Sequence, residues 1–257
     1  MTETTSGAPK PVWIDLMCAD TAAAGAFYAG IFGWDVAVNP DPQYGGYAMA
    51  TLDGKDVAGI GPKQSPDAPA AWSLYLGVSD ADAAVTHIQA AGGTVVAPPF
   101  AVGDQGRMAV FTDNVGAFIS TWEPAAMPGF HTGGPGTLAW VELNARGLDR
   151  AVAFYEAAFG WKTHTSAMPD GSAYVEFKVG DDSVAGAVEM SAMAPAEMPS
   201  YWLAYFGVED VDAAFASALA LGAHEMVPPT DMPDGRFAIL SDPEGAVFGL
   251  LRMGPGA

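Results

Sequence analysis

Two carboxylates stand where chemistry is expected. Asp15 lies two residues after Trp13, and Glu142 lies two residues after Trp140, 127 residues further on. Val12, Ile14 and Leu16 alternate with Trp13, Asp15 and Met17, and Ala139, Val141 and Leu143 alternate with Trp140, Glu142 and Asn144. Period-2 alternation marks a strand with one face on a core. The other face then carries Trp-x-Asp in one copy and Trp-x-Glu in the other. Either it is a solvated face or it lines a partly enclosed, mostly apolar cavity with few polar groups. In a half-dry cavity a carboxylate beside Trp has a raised pKa and moves protons near neutral pH, which makes Glu142 the leading general base and Asp15 its counterpart.

Other strands supply walls. Ser73 and Tyr75 share a face opposite Trp72, Leu74 and Leu76, and Tyr205 repeats the position of Tyr75. Phe118, Ser120 and Trp122 share a face near the end of the first copy. Trp13, Trp72, Trp122, Trp140 and Trp202 all fall on predicted strands, where they either fill the sheets or stack on a flat, conjugated ligand. Arg107 and Arg236 each follow a Gly on matching turns. They read as structural salt bridges or as anchors for an anionic ligand. Cys18 points to the helix side and is expected to be a buried, inert thiol. His87 is expected on an exposed helix, His131 in a linker, and His164 and His224 at edge strands, all in surface or structural roles. No Gly-x-Ser-x-Gly elbow and no phosphate-binding fingerprint is present, so no cofactor is expected.

The elements that hold these residues occur twice. Phe27-Tyr28-Ala29-Gly30-Ile31-Phe32-Gly33-Trp34 returns as Phe154-Tyr155-Glu156-Ala157-Ala158-Phe159-Gly160-Trp161. Each reads as the end of an amphipathic helix, a Gly stop and a Trp that starts a strand. Val57-Ala58-Gly59 returns as Val184-Ala185-Gly186, Pro98-Pro99 as Pro228-Pro229, and Asp113 and Gly116 as Asp242 and Gly245. The chain is a tandem duplication, with domains over 10–123 and 137–253 joined by a Gly- and Pro-rich linker over 124–136.

Each domain divides again into two βαβββ halves. The first carries strand 11–18, helix 21–32 and strands near 34–39, 46–53 and 56–61. The second carries strand 71–78, helix 80–91 and strands near 94–97, 107–112 and 117–122. Asp20 and Ser79 occupy N-cap positions and Gly92 a C-cap position. Further helices are expected near 148–159 and 210–221, with Gly222 as stop. The fold class is α+β, built from four such modules.

These motifs resemble the vicinal oxygen chelate superfamily, which includes glyoxalase I, extradiol dioxygenases and bleomycin-resistance proteins. The resemblance rests on Asp20…Phe27-Tyr28…Phe32-Gly33-Trp34 and its copy, on Gly-Val-x-Asp at Gly77–Asp80 and Gly207–Asp210, and on Asp-Pro-Glu-Gly at Asp242–Gly245, with Asp113–Gly116 a looser form. It covers nearly everything outside the linker and tails, and in particular the chain looks like two-domain actinobacterial members labelled hydroxylases or glyoxalase-like proteins. It implies paired modules whose sheets curl around cups. Metalloenzymes of the family place His or Glu at four positions per site. Here those positions fall on Trp13 and Trp140, near Gly59 and Gly186, near Ser73 and Leu203, and near Ser120 and Gly249. None is a usual divalent-metal ligand, so no metal site is expected.

Composition narrows the class. Ten basic against 30 acidic side chains give a net charge of −20, which repels phosphate backbones and argues against a nucleic-acid partner. Mean hydropathy is +0.19, and no apolar run approaches the roughly 20 residues of a membrane span. Met1–Gly7 has no signal-peptide character, and one cysteine excludes an intrachain disulfide, so a cytoplasmic location is expected. The resulting expectation is a monomeric or homodimeric, metal-independent binder of a small aromatic or conjugated molecule, such as an antibiotic or reactive metabolite. The alternative is a glyoxalase-like or hydroxylase-like enzyme using Glu142 and Asp15 as acid and base, with or without a non-standard metal site formed by these carboxylates and waters. The third possibility is a duplicated scaffold with no small ligand.

Overall fold

The computed structural model describes residues 8–168, 170–192, 194–233 and 235–254. The expected signal-free N-terminus and Asp234 of the second arginine turn lie outside them. The first helix shows why the motif folds as it does. Asp20 accepts from the amides of Ala22 and Ala23 at 3.0 Å each and opens α1 (Thr21–Phe32); Gly33, at φ 73°, closes it. An alanine-rich run favours helix, whereas a Gly inside it costs about 1 kcal/mol. Gly30 is explained by close approach, since a Cβ there would lie 2.8 Å from the Leu221 side chain.

The chain carries four successive βαβββ modules, as expected. The first is β1 (Pro11–Cys18), α1, β2 (Asp35–Val38), β3 (Ala48–Leu52) and β4 (Lys55–Pro62), with a short 3-10 turn at Pro42–Tyr44. The second is β5 (Ala71–Gly77), α2 (Ala81–Ala90), β6 (Thr94–Val102), β7 (Gly106–Thr112) and β8 (Phe118–Pro124). The third is β9 (Leu138–Ala145), α3 (Leu148–Phe159), β10 (Lys162–Ala167), β11 (Ala173–Val179) and β12 (Asp182–Glu189). The fourth is β13 (Tyr201–Gly207), α4 (Val211–Ala220), β14 (His224–Met232), β15 (Gly235–Ser241) and β16 (Val247–Met253). Two eight-stranded mixed sheets result, in the orders β2-β3-β4-β1-β5-β8-β7-β6 and β10-β11-β12-β9-β13-β16-β15-β14. None of the described helices is long and apolar enough to cross a membrane.

Two local readings are corrected. The α2 N-cap is Asp80, not Ser79: its carboxylate accepts from Ala83 N at 2.9 Å, as Asp210 does from Ala213 N ahead of α4. Strand β6 continues past 97 through Pro98-Pro99 to Val102. It is the last strand of its sheet, where missing N–H donors are tolerated, and its pairing with β7 shifts register across the prolines.

The helices pair across the duplication. One compact unit takes the chain through Trp13, Leu74–Gly129 and Val141–Trp202; the other takes Ile14–Ser73, Phe130–Trp140 and the chain from Leu203 on. Thus α2 packs with α3 in one unit, and α1 with α4 in the other. The unit containing α1 is held by an aromatic core of Phe27, Tyr28, Phe32, Trp34, Trp72, Phe206 and Phe248, with Phe32 and Phe206 5.0 Å apart between ring centroids. The other unit matches it with Phe111, Phe154, Tyr155, Phe159, Trp161, Phe177 and Trp202.

Each core contains one polar relay. Trp72 Nε1 donates to Tyr28 Oη at 3.0 Å, and Tyr28 Oη donates to Asp242 Oδ2 at 3.0 Å. In the other unit Trp202 donates to Tyr155 at 2.9 Å and Tyr155 to Asp113 at 3.0 Å. The second oxygen of each aspartate holds its own turn, Asp242 through Glu244 N and Ala246 N, Asp113 through Val115 N and Ala117 N. Trp72 and Trp202 therefore face the cores and are not candidate ligand walls.

Removing the hydroxyl leaves a buried indole N–H and carboxylate oxygen short of a partner, so Tyr155→Phe and Tyr28→Phe should each cost about 1–3 kcal/mol in urea unfolding. Burial pushes the Asp113 carboxyl above its ordinary value despite three backbone donors and Tyr155. The folded state then binds this proton more readily than the unfolded state. Its stabilising contribution is present below the ordinary value and lost as pH rises through the raised one. The stability of wild type relative to Asp113→Asn should accordingly grow as pH is lowered towards the ordinary carboxylate value, with stability measured at each pH by denaturant titration.

Candidate functional site

The carboxylates sit where strand pairing puts them. β1 runs parallel to β4 with Asp15 opposite Gly59 and Met17 opposite Gly61. The space above both glycines belongs to Tyr47: a Cβ at Gly59 would collide with its phenol, and one at Gly61 would lie 2.8 Å from its ring. Tyr47 Oη donates to Asp15 Oδ2 at 3.3 Å. Asp15 is 3% exposed. Tyr47 was not singled out from sequence, although Tyr174 stands 127 residues after it, at the offset of the repeat.

β9 runs parallel to β12 with Glu142 opposite Gly186 and Asn144 opposite Val188. Glu176 on β11 pairs with Gly186, and His164 on β10 pairs with Glu176, so these residues form a row across one part of the sheet. His164 is exposed, and Glu176 accepts from Ser183 Oγ at 2.7 Å. Tyr201 has its phenol pushed above the ordinary value, first by burial and then by the charge on Glu142. Glu142 and Asn144 are half-buried, and Asn144 Nδ2 is buried with no hydrogen-bond partner.

The remaining candidates separate. Tyr75 lies opposite Ser120 in the parallel pairing of β5 with β8, and both are buried. Trp122 is buried against Gly106 and donates to Met127 O at 2.9 Å. Ser73 is half-buried, and Phe118 is 61% exposed at the start of its strand. Tyr205 lies opposite Gly249, in the space a Cβ there would take. Trp13 is buried and Trp140 half-buried.

The arginines take the salt-bridge reading. Arg107 pairs with Asp82 at 2.9 Å and Glu123 at 3.2 Å; Arg236 pairs with Asp212 through two nitrogens and with Asp231 at 2.7 Å. A guanidinium fork already filled by carboxylates is not an anion anchor. Cys18 is buried, and burial, followed by the charges of Glu244, Asp242 and Asp20, pushes its thiol up to about 12, which keeps it from acting as a thiolate nucleophile.

The family's metal positions do not fit a metal. They carry Trp, Gly, Ser and Leu; the ring of Tyr47 covers Gly59, and that of Tyr205 covers Gly249. Among the described residues no group of three or more His, Cys, Asp or Glu side chains is placed to hold an ion. Of the two tyrosines, Tyr205 was a candidate wall from sequence; Tyr47 was not, because its place over Gly59 depends on pairing between strands.

Comparison with known proteins agrees with the fold. The model of the Glyoxalase/Bleomycin resistance protein/Dioxygenase superfamily matches residues 10–120 and again 137–250. The chain is 41% identical over 256 residues to "Putative glyoxylase CFP32" of Mycobacterium tuberculosis, covering 95% of each chain. It is 36% identical over 271 residues to "Anthracycline biosynthesis protein DnrV" of Streptomyces peucetius, covering 100% of this chain and 97% of that one. Among solved structures, the 2,3-dioxygenase LapB of Pseudomonas sp. KL28 superposes with a TM-score of 0.67 at 16% identity, covering 98% of this chain and 94% of that one. The Mn(II)-bound glyoxalase of Novosphingobium aromaticivorans gives 0.66 at 15%, covering 95% and 82%. With both repeats matched and the expected architecture in place, the chain belongs to the glyoxalase/bleomycin resistance protein/dioxygenase superfamily.

Proposed function

We propose that the chain, through repeats over 10–123 and 137–253, binds a small, flat aromatic or conjugated molecule without holding a transition metal by its side chains. The observation that carries this reading is the lining at the family's ligand positions, where Tyr47 and Tyr205 lie over glycines in place of imidazoles and carboxylates. Aromatic rings recognise flat ligands by stacking. The relative named for anthracycline biosynthesis supports the same ligand class, because anthracyclines are flat conjugated polycycles. After incubation with Mn(II), Fe(II), Ni(II) and Zn(II) and desalting, elemental analysis should find far less than one ion per chain. Stoichiometric retention of any of the four overturns the reading.

A second reading is proton transfer by Glu142. It is favoured by Tyr201, a phenol held neutral by burial and by that carboxylate, and by the relative named a glyoxylase. A charged base beside a neutral acid suits removal of a proton next to a carbonyl. On this reading the protein accelerates exchange of such C–H hydrogens in methylglyoxal into D2O, followed by NMR. Glu142→Gln should then slow exchange at least a hundredfold with the melting temperature retained; an unchanged rate eliminates Glu142 as the base.

A further inference from the structure

The two repeats differ at the carboxylate. On β1, Trp13 and Asp15 are 2% and 3% exposed, and Asp15 receives the Tyr47 hydroxyl. On β9 the matching Trp140 and Glu142 keep partial exposure. The next residue on that face is Met17 in the first repeat and Asn144 in the second. Asn144 therefore adds a donor the first repeat lacks, and its Nδ2 is buried with no hydrogen-bond partner in the fold. Such a group is rare in a native structure and calls for an acceptor from elsewhere. Glu142 lies two residues earlier on the same face and so about 6.5–7 Å along the strand; when ionised it can only accept. Tyr201 near it remains a protonated phenol.

Resting on the reading of the chain as a binder of flat molecules, we infer that the second repeat alone takes the ligand, and that this ligand carries a carbonyl for Asn144 and a hydroxyl for Glu142. The ligand class is a hydroxylated quinone or a comparable flat hydroxy-carbonyl compound. The carbonyl oxygen accepts from Asn144 Nδ2, and the hydroxyl donates to the Glu142 carboxylate. Met17 and the buried Asp15 offer the first repeat no equivalent pair.

The test uses the full chain and 1,4-dihydroxyanthraquinone, titrated through its visible absorption, with 1,4-dimethoxyanthraquinone as the analogue that lacks O–H donors. One equivalent should bind per chain. Glu142→Gln and Asn144→Leu should each weaken binding about tenfold or more, and the dimethoxy analogue should bind weakly and ignore Glu142→Gln. Asn144→Asp keeps the side-chain shape and removes the donor, so it should weaken binding with the circular dichroism and melting temperature retained. Met17→Leu should leave affinity unchanged. Two equivalents per chain, or an affinity that Met17→Leu lowers while Glu142→Gln and Asn144→Leu do not, overturns the inference. If neither quinone binds, the reading of the chain as a binder of flat aromatics fails, and this inference falls with it.

Discussion

A tyrosine hydroxyl in a hydrocarbon core must find its partners there, and that requirement organises this fold. Tyr28 and Tyr155 each sit among aromatic rings with no exposure. Each receives an indole N–H and gives its own proton to an aspartate that is itself held by the amides of a tight turn. Tyr28 comes from the first repeat and Asp242 from the second; Tyr155 comes from the second and Asp113 from the first. The most repeated phrase in the sequence is thus the donor half of a bond whose acceptor half lies in the other copy. Unpaired, either group would cost more than the bond gains, so the relay selects which modules meet.

Further polar contacts follow the same pattern. Glu244 accepts from Ala19 N at 2.6 Å and Asp20 N at 2.8 Å, placing a fourth-module carboxylate at the start of α1. Ahead of α3, where Gly147 offers no capping side chain, Glu189 accepts from Gly147 N and from Leu148 N at 2.7 Å. Carboxylates at helix starts satisfy amides that the helix leaves unpaired and suit the local dipole. Hydrogen-bond need and charge agree with the aromatic packing, which is what consistency across levels means for a fold.

Much of this was legible in the sequence. Asp20, Gly33, Gly160 and the alternation around Trp13 and Trp140 fixed elements to within a residue or so, because caps and periodicity are local signals. For Trp72 and Trp202 the sequence left open whether they fill the sheets or stack on a ligand, since a tryptophan on a strand looks the same whether its N–H meets a ligand or a buried tyrosine. The strand expected near 94–97 runs on through the proline pair to Val102, because edge position cannot be seen locally. At the site, the carboxylates and the missing imidazoles were visible, but Tyr47 over Gly59 was not. Nor was the difference in burial between Asp15 and Glu142, which arises from packing by residues distant in sequence.

The crossed ownership of the relay bears on how such a chain could arise. A single βαβββ pair contains the tyrosine of one relay and the aspartate of another, and cannot close either by itself in the arrangement found here. It would have to meet a second copy of itself to satisfy both. Joining the copies in one chain makes that encounter intramolecular, so its completion no longer depends on protein concentration. Once fused, the halves are also released from identity, and matched positions can diverge, as the buried Asp15 and the half-buried Glu142 do.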